Sequence, residues 1–224
     1  MEKNGRERIK MDFRVIDMEQ EPRREQYAYF RSLANPYVGV TVNLDVTALL
    51  EWTKANHRGF FLSFLYAAVR AANSVPELRR RIRGEQVVEY ANCPSSHTVA
   101  LDNGAYCYCQ LEVNRTLEDF LVYAAEAQDY VRDHPTLEDG EDGESLFFVS
   151  CVPWLSYTSM IQPVPVPADS NPRITWGKYF RQGEQTLMPV TLLAHHALVD
   201  GIHIARFYEA LDRELAAITS GKRL

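Results

Sequence analysis

The chain has too few cysteines to build a covalent frame. Its 224 residues hold only Cys93, Cys107, Cys109 and Cys151, with no Cys-x-x-Cys pair. Neither a zinc knuckle nor a redox dithiol is implied, and scattered thiols of this number fit a reduced, buried role. Positive charge is also short. Twenty-four Lys and Arg against 30 Asp and Glu leave a formal charge of −6, which excludes a basic nucleic-acid footprint as the main role. No apolar run is long enough to cross a bilayer. The opening segment, 1–8, is charged and followed by no apolar signal core, so the expectation is a cytoplasmic protein with no membrane partner. No repeat or long linker interrupts the chain. What is present is a 46% hydrophobic fraction with 24% charged residues, enough for one domain over 1–224 with a substantial core of its own.

The apolar pattern places strands and helices. From Tyr37 to Val46, Val38, Val40, Val42, Leu44 and Val46 alternate with smaller or polar residues, which predicts a half-buried strand. Asp45 to Thr53 and Phe60 to Asn73 have helical spacing, the second with a broad apolar stripe ended at Pro76. Arg79, Arg80, Arg81 and Arg83 follow and are expected at the solvated surface. Strands are expected over 87–90, 98–101, 106–113, 146–152, 155–160 and 187–194, the last interrupted by Pro189. Thr116 and Asp119 form a capping pair for a helix through Arg132, and Ile202 to Ile218 forms the last helix. Residues 138–144 read as an acidic loop. Residues 161–172 carry four of the eleven prolines and cannot be a central strand. Strands and helices without strict alternation point to an α/β fold with a mixed sheet.

The chemistry concentrates in His195-His196-Ala197-Leu198-Val199-Asp200-Gly201, where an apolar strand runs into two histidines, a short turn and a helix. Histidine can take and return a proton near neutrality, and a strand end holds it rigidly. From spacing, His196 is a general base, a packed core residue, or a metal ligand with Asp200 and His203.

His196-x-x-x-Asp200-Gly201 is the signature of the coenzyme-A-dependent acyltransferases, and the string through Phe207 resembles the chloramphenicol acetyltransferase family. So do the segments Ser150 to Ser159, Thr175 to Tyr179 and Arg23 to Phe30, in the same order over nearly the whole chain. The resemblance implies a two-layer α/β sandwich, a mixed β-sheet packed with helices, assembled as a homotrimer with sites between subunits. It implies transfer of the acetyl group of acetyl-CoA, with no metal, to a small alcohol, chloramphenicol being the leading candidate. The alternatives are a related acetyltransferase with another alcohol acceptor and a non-catalytic scaffold of the same fold.

The resemblance also implies roles. His196 is the general base, Ser150 the donor to the oxyanion, and Thr175 the holder of a water beside it. Asp200 is structural and pairs with Arg23, with Arg24 as the competing partner. Lys178 and Tyr179 meet the phosphate and adenine of the coenzyme. Phe61 keeps an aromatic contact to it, while Arg58 stands in for a family lysine replaced here by Gly59. Phe30, Tyr106 and Phe148 line the acceptor pocket, where aromatic rings suit a nitrophenyl group. Two segments depart from the family pattern, the proline-rich 161–172 and the stretch 101–105, and they leave the acceptor open.

Overall fold

A computed structural model describes residues 12–140 and 142–221; the charged segment 1–8 lies outside the described residues. The strands are β1 (Phe13–Ile16), β2 (Tyr37–Asp45), β3 (Arg80–Arg83), β4 (Gln86–Tyr90), β5 (Ser95–Ala100), β6 (Tyr106–Leu111), β7 (Phe147–Val152), β8 (Arg173–Gly177), β9 (Phe180–Gln182) and β10 (Gln185–His195). The helices are α1 (Arg24–Arg31), α2 (Thr47–Ala55), α3 (Phe60–Asn73), α4 (Leu117–Asp133) and α5 (Gly201–Thr219).

Seven strands form one sheet in the order β2-β10-β8-β7-β5-β6, with β9 also on β10; β1, β4 and β3 form a small antiparallel sheet. The large sheet is mixed. β7 runs parallel to both β5 and β8, and the other pairs are antiparallel. Helix α3 is the packing centre: nine of its fourteen residues are buried, and Phe64 meets Trp176 of β8 edge-on at 4.9 Å. Tyr208 of α5 donates its hydroxyl to the carbonyls of Val40 and Val190, each at 2.8 Å, pinning that helix to β2 and β10. The Thr116 cap on α4 is present, its Oγ1 accepting from the Asp119 amide at 3.3 Å.

Pro189 does not break β10. Its missing N–H falls between the stretch paired with β9, which ends at Leu187, and the stretch paired with β8, which begins at Val190. In β2, Leu44 is buried but Val40, on the same face, is 41% exposed: β2 is an edge strand and the cover on that face varies along its length.

Two expectations need correction. Residues 155–160 form no strand; they are an irregular segment lying over β8. The arginine run is not a solvated edge. Arg81 is 1% exposed and donates to the backbone carbonyls of Leu78, Arg80, Glu144, Ser145 and Leu146 at 2.7–3.3 Å. Arg79 and Arg80 are largely buried around Glu89, with Glu21 also on Arg80, and only Arg83 is substantially exposed. Five backbone carbonyls take the place of water around a cation, which composition cannot reveal.

Candidate active site

Strand β10 ends by presenting two adjacent histidines to opposite faces. His195 turns inward beside Tyr37. Its Nδ1 accepts from the Ala197 amide at 3.2 Å, and burial pushes its pKa down to about 4, so it is neutral near pH 7. His196 is half-buried, and its amide donates to the Pro36 carbonyl at 2.7 Å. Its Nδ1 lies 2.8 Å from the Val199 carbonyl oxygen. A carbonyl can only accept, so Nδ1 carries the proton and Nε2 keeps a lone pair, the tautomer a base needs. Phe30 stacks on the imidazole at 3.8 Å and 25°, fixing its plane.

The turn after His196 is locked from both sides. Asp200 caps α5: its carboxylate accepts from the Ile202 amide at 3.1 Å, and its own amide donates to His203 Nδ1 at 3.0 Å. Arg23 places Nε 3.2 Å from Asp200 Oδ2 as a charge contact, while its Nη2 donates to the His196 carbonyl at 3.0 Å. Arg24 turns away to Glu19 at 2.5 Å. His196, Asp200 and His203 do not converge on one point, since His203 is engaged by Asp200 and lies 3.6 Å from Glu77 while His196 is turned to Val199.

Ser150 and Thr175 are register partners on the parallel strands β7 and β8. Two hollows open beside Ser150. The larger, about 1150 Å³, is lined by Phe61, Lys178, Tyr179 and Tyr106 among others, and the smaller, about 360 Å³, by Phe148, Gln162 and Arg173. Ser150 borders both, as does Thr98. The wall between β8 and the segment after β7 depends on Gly177. A Cβ there would lie 2.6 Å from the Leu155 carbonyl and 2.9 Å from the Tyr157 ring. With glycine in place, the Lys178 amide donates to that carbonyl at 2.7 Å, and Pro153 and Trp154 border the larger cleft. Thr175 is buried. Its Oγ1 accepts from the Gln162 amide group, and its carbonyl accepts from the Tyr157 hydroxyl at 2.8 Å.

The remaining residues singled out by sequence are dispersed. Phe30 lies on His196, Tyr106 in the larger cleft and Phe148 in the smaller cavity. Arg58 forms an ion pair with Glu118; the arginine that lines the larger cleft is Arg132, at the end of α4. His196 lines neither hollow. Thr191 lies opposite Thr175 and His196 five residues further along, about 16 Å at strand spacing. Within one chain, then, the imidazole and Ser150 stand apart. Arg132, Gln162 and Arg173 escaped the sequence reading. The only signal for the last was the i, i+4 spacing to Asp169, which the prolines around it masked.

These positions sit in a chain with relatives throughout its length. A chloramphenicol acetyltransferase from Klebsiella sp. is 31% identical over 206 residues, covering 90% of this chain and 93% of its own length. One from Escherichia coli is 29% identical over 204 residues, covering 90% and 93%. A solved chloramphenicol acetyltransferase superposes with a TM-score of 0.83 at 26% identity, over 91% of this chain and all of the other. A dihydrolipoamide acetyltransferase from Azotobacter vinelandii, 16% identical with a TM-score of 0.65 over 88% of this chain and 87% of its own, shares the fold. The profile of the chloramphenicol acetyltransferase family matches residues 11–212, and with the likeness running over nine-tenths of the chain, it belongs to that family of acyltransferases.

Proposed function

We propose that this chain, as a single catalytic domain, moves the acetyl group of acetyl-CoA to a hydroxyl of a small alcohol, with both substrates bound together. The observation that carries the reading is the position of Ser150, on the border between a long cleft and a smaller cavity. The cleft suits the coenzyme: Lys178 and Arg132 supply cations for phosphates, and Phe61 and Tyr179 supply apolar faces for the adenine and pantetheine arm. Arg132 is also paired with Asp129 at 2.6 Å, an exposed pair that costs little to open. Arg58, held by Glu118, contributes to coenzyme binding only where the two separate. The smaller cavity takes the acceptor.

His196 Nε2 removes the proton from the acceptor hydroxyl as that oxygen attacks the thioester carbonyl carbon. Ser150 donates to the oxyanion of the tetrahedral intermediate, with Thr175 holding a water beside it or, through Gln162, completing the polar wall. The C–S bond then breaks, and the imidazolium returns its proton to the leaving thiolate. Loss of a single oxyanion donor of this type costs roughly 10²–10³ in rate. Asp200 and Arg23 act by holding the histidine turn. Because His196 stands about 16 Å along the sheet from Thr191, level with the Ser150 region, the base at each Ser150 comes from a neighbouring copy in a homotrimer. Phe30 arrives with it as part of the acceptor wall.

Chloramphenicol, named for the relatives, is the first acceptor to test, with other small alcohols as the alternative. Release of free thiol from acetyl-CoA, followed with and without alcohol, is the assay. Alcohol-dependent thiol release is expected. Binding of coenzyme with no alcohol turned over would overturn the reading.

A further inference from the structure

We infer that His203, which lines neither hollow, is a positioning residue for the base His196 and acts through the one peptide unit that lies between the two rings. The inference rests on the acetyl-transfer reading above and adds to it a residue that touches no substrate.

The Val199–Asp200 peptide is bracketed by two imidazoles. Its carbonyl oxygen accepts from Nδ1 of His196 at 2.8 Å, and its amide donates to Nδ1 of His203 at 3.0 Å. A peptide unit is planar, so its C=O and N–H cannot turn independently. Fixing the N–H therefore fixes the plane in which the carbonyl meets His196. The two bonds also strengthen each other, because a peptide whose N–H is donated has a more strongly accepting oxygen. The other ties on the turn hold other atoms. Arg23 Nη2 meets the His196 carbonyl, the Val199 amide donates to the His195 carbonyl, and the Asp200 carboxylate takes the Ile202 amide and the charge of Arg23.

His203 is held in the state that accepts. It is 6% exposed, in the first turn of α5. A backbone amide can only donate, so Nδ1 keeps its lone pair and the proton sits on Nε2. Nε2 lies 3.6 Å from Glu77 Oε1, beyond hydrogen-bond reach but close enough for the carboxylate charge to favour that tautomer. Asp200 Oδ1 is 3.1 Å from Nδ1, and a proton there would draw the ring onto the carboxylate and release the amide. Burial opposes that proton and holds the His203 pKa below its ordinary value. Glu77 and Asp200 pull it upward, and Arg23 and Arg206 push it down. Near pH 7 the ring is therefore neutral and accepts. Glu77 belongs to the short turn Pro76–Arg79 after α3, so the base at the end of β10 is tied through His203 to a separate part of the fold.

The test uses His203→Asn, whose side-chain oxygen keeps an acceptor close to the place of Nδ1, and His203→Leu, which keeps the bulk and removes the acceptor. Alcohol-dependent thiol release gives kcat and KM. Imidazole nitrogen NMR of histidine-labelled protein gives the tautomers, each ring's signals being identified by their absence from the variant lacking it. His203→Leu is expected to lose about tenfold in kcat, with acetyl-CoA binding and KM unchanged, and to show both tautomers of His196. His203→Asn is expected to stay within about threefold of the wild type and to keep the proton on Nδ1 of His196. Loss of the helix cap alone would lower the melting temperature of His203→Leu and leave kcat and the tautomer untouched; that outcome, or equal losses in both variants, overturns the assignment. Where His203→Leu does not fold, the wild-type spectrum decides: His203 protonated on Nε2 with His196 on Nδ1 supports the assignment, and any other pair of tautomers overturns it. A protein that binds acetyl-CoA and turns over no alcohol overturns acetyl transfer, while the tautomers of the two rings still decide whether His203 holds His196.

Discussion

At the scale of single residues, the decisive feature is a proton held in one place. The Val199 carbonyl fixes Nδ1–H of His196 and leaves Nε2 as the acceptor, while Phe30 restrains the ring. Substituting His196→Ala should lower alcohol-dependent thiol release by roughly 10²–10⁴ with little change in melting temperature; substantial residual turnover would contradict the base assignment. Arg23→Ala acts one step away. Its contacts to Asp200 and to the His196 carbonyl are partly exposed, so the expected loss of stability is about 1–3 kcal/mol, below that of a fully buried pair, together with slower transfer. An unchanged urea midpoint would contradict it. The sequence carried the histidine, Asp200 and Arg23, because chemistry of that type needs those side chains at those spacings. It did not carry the Val199 carbonyl or the Gln162–Thr175 contact, since the first is a backbone atom and the second depends on the path of a loop.

Among elements, the long apolar strands and amphipathic helices were legible because their periodicity is set by burial on one face. α3, α4 and α5 have ends within a residue or so of the pattern. The burial of Arg81 in β3 was not, because three of the carbonyls that solvate it lie 63 to 65 residues away. Two strand histidines give a testable consequence. His97 of β5 and His195 of β10 are each pushed from 6.5 to about 4 by burial. On acidification, the unfolded chain takes up these protons below about pH 6.5 while the folded chain refuses them until about pH 4. Stability therefore falls as pH drops through that window and is recovered as pH rises, by up to roughly 3 kcal/mol for each histidine. Urea midpoints at pH 7 and pH 4.5 should differ in that sense; equal midpoints would show that these rings are not held neutral by the fold.

For the whole molecule, the α/β class and mixed sheet followed from the sequence pattern and the resemblance, but the neighbours of each strand did not. β7 and β8 are adjacent although the proline-rich segment separates them, and their register brings Ser150 beside Thr175 and sets the two hollows. The same register leaves His196 remote from Ser150 in its own chain, and this separation argues for a shared site. The direct test is subunit mixing. His196→Ala and Ser150→Ala proteins, each nearly inactive alone, are unfolded together, refolded as mixed assemblies and assayed for alcohol-dependent thiol release. With base and oxyanion donor drawn from different copies, an equal mixture should regain about one quarter of the wild-type rate; activity no higher than that of the two parents would contradict a site shared between subunits.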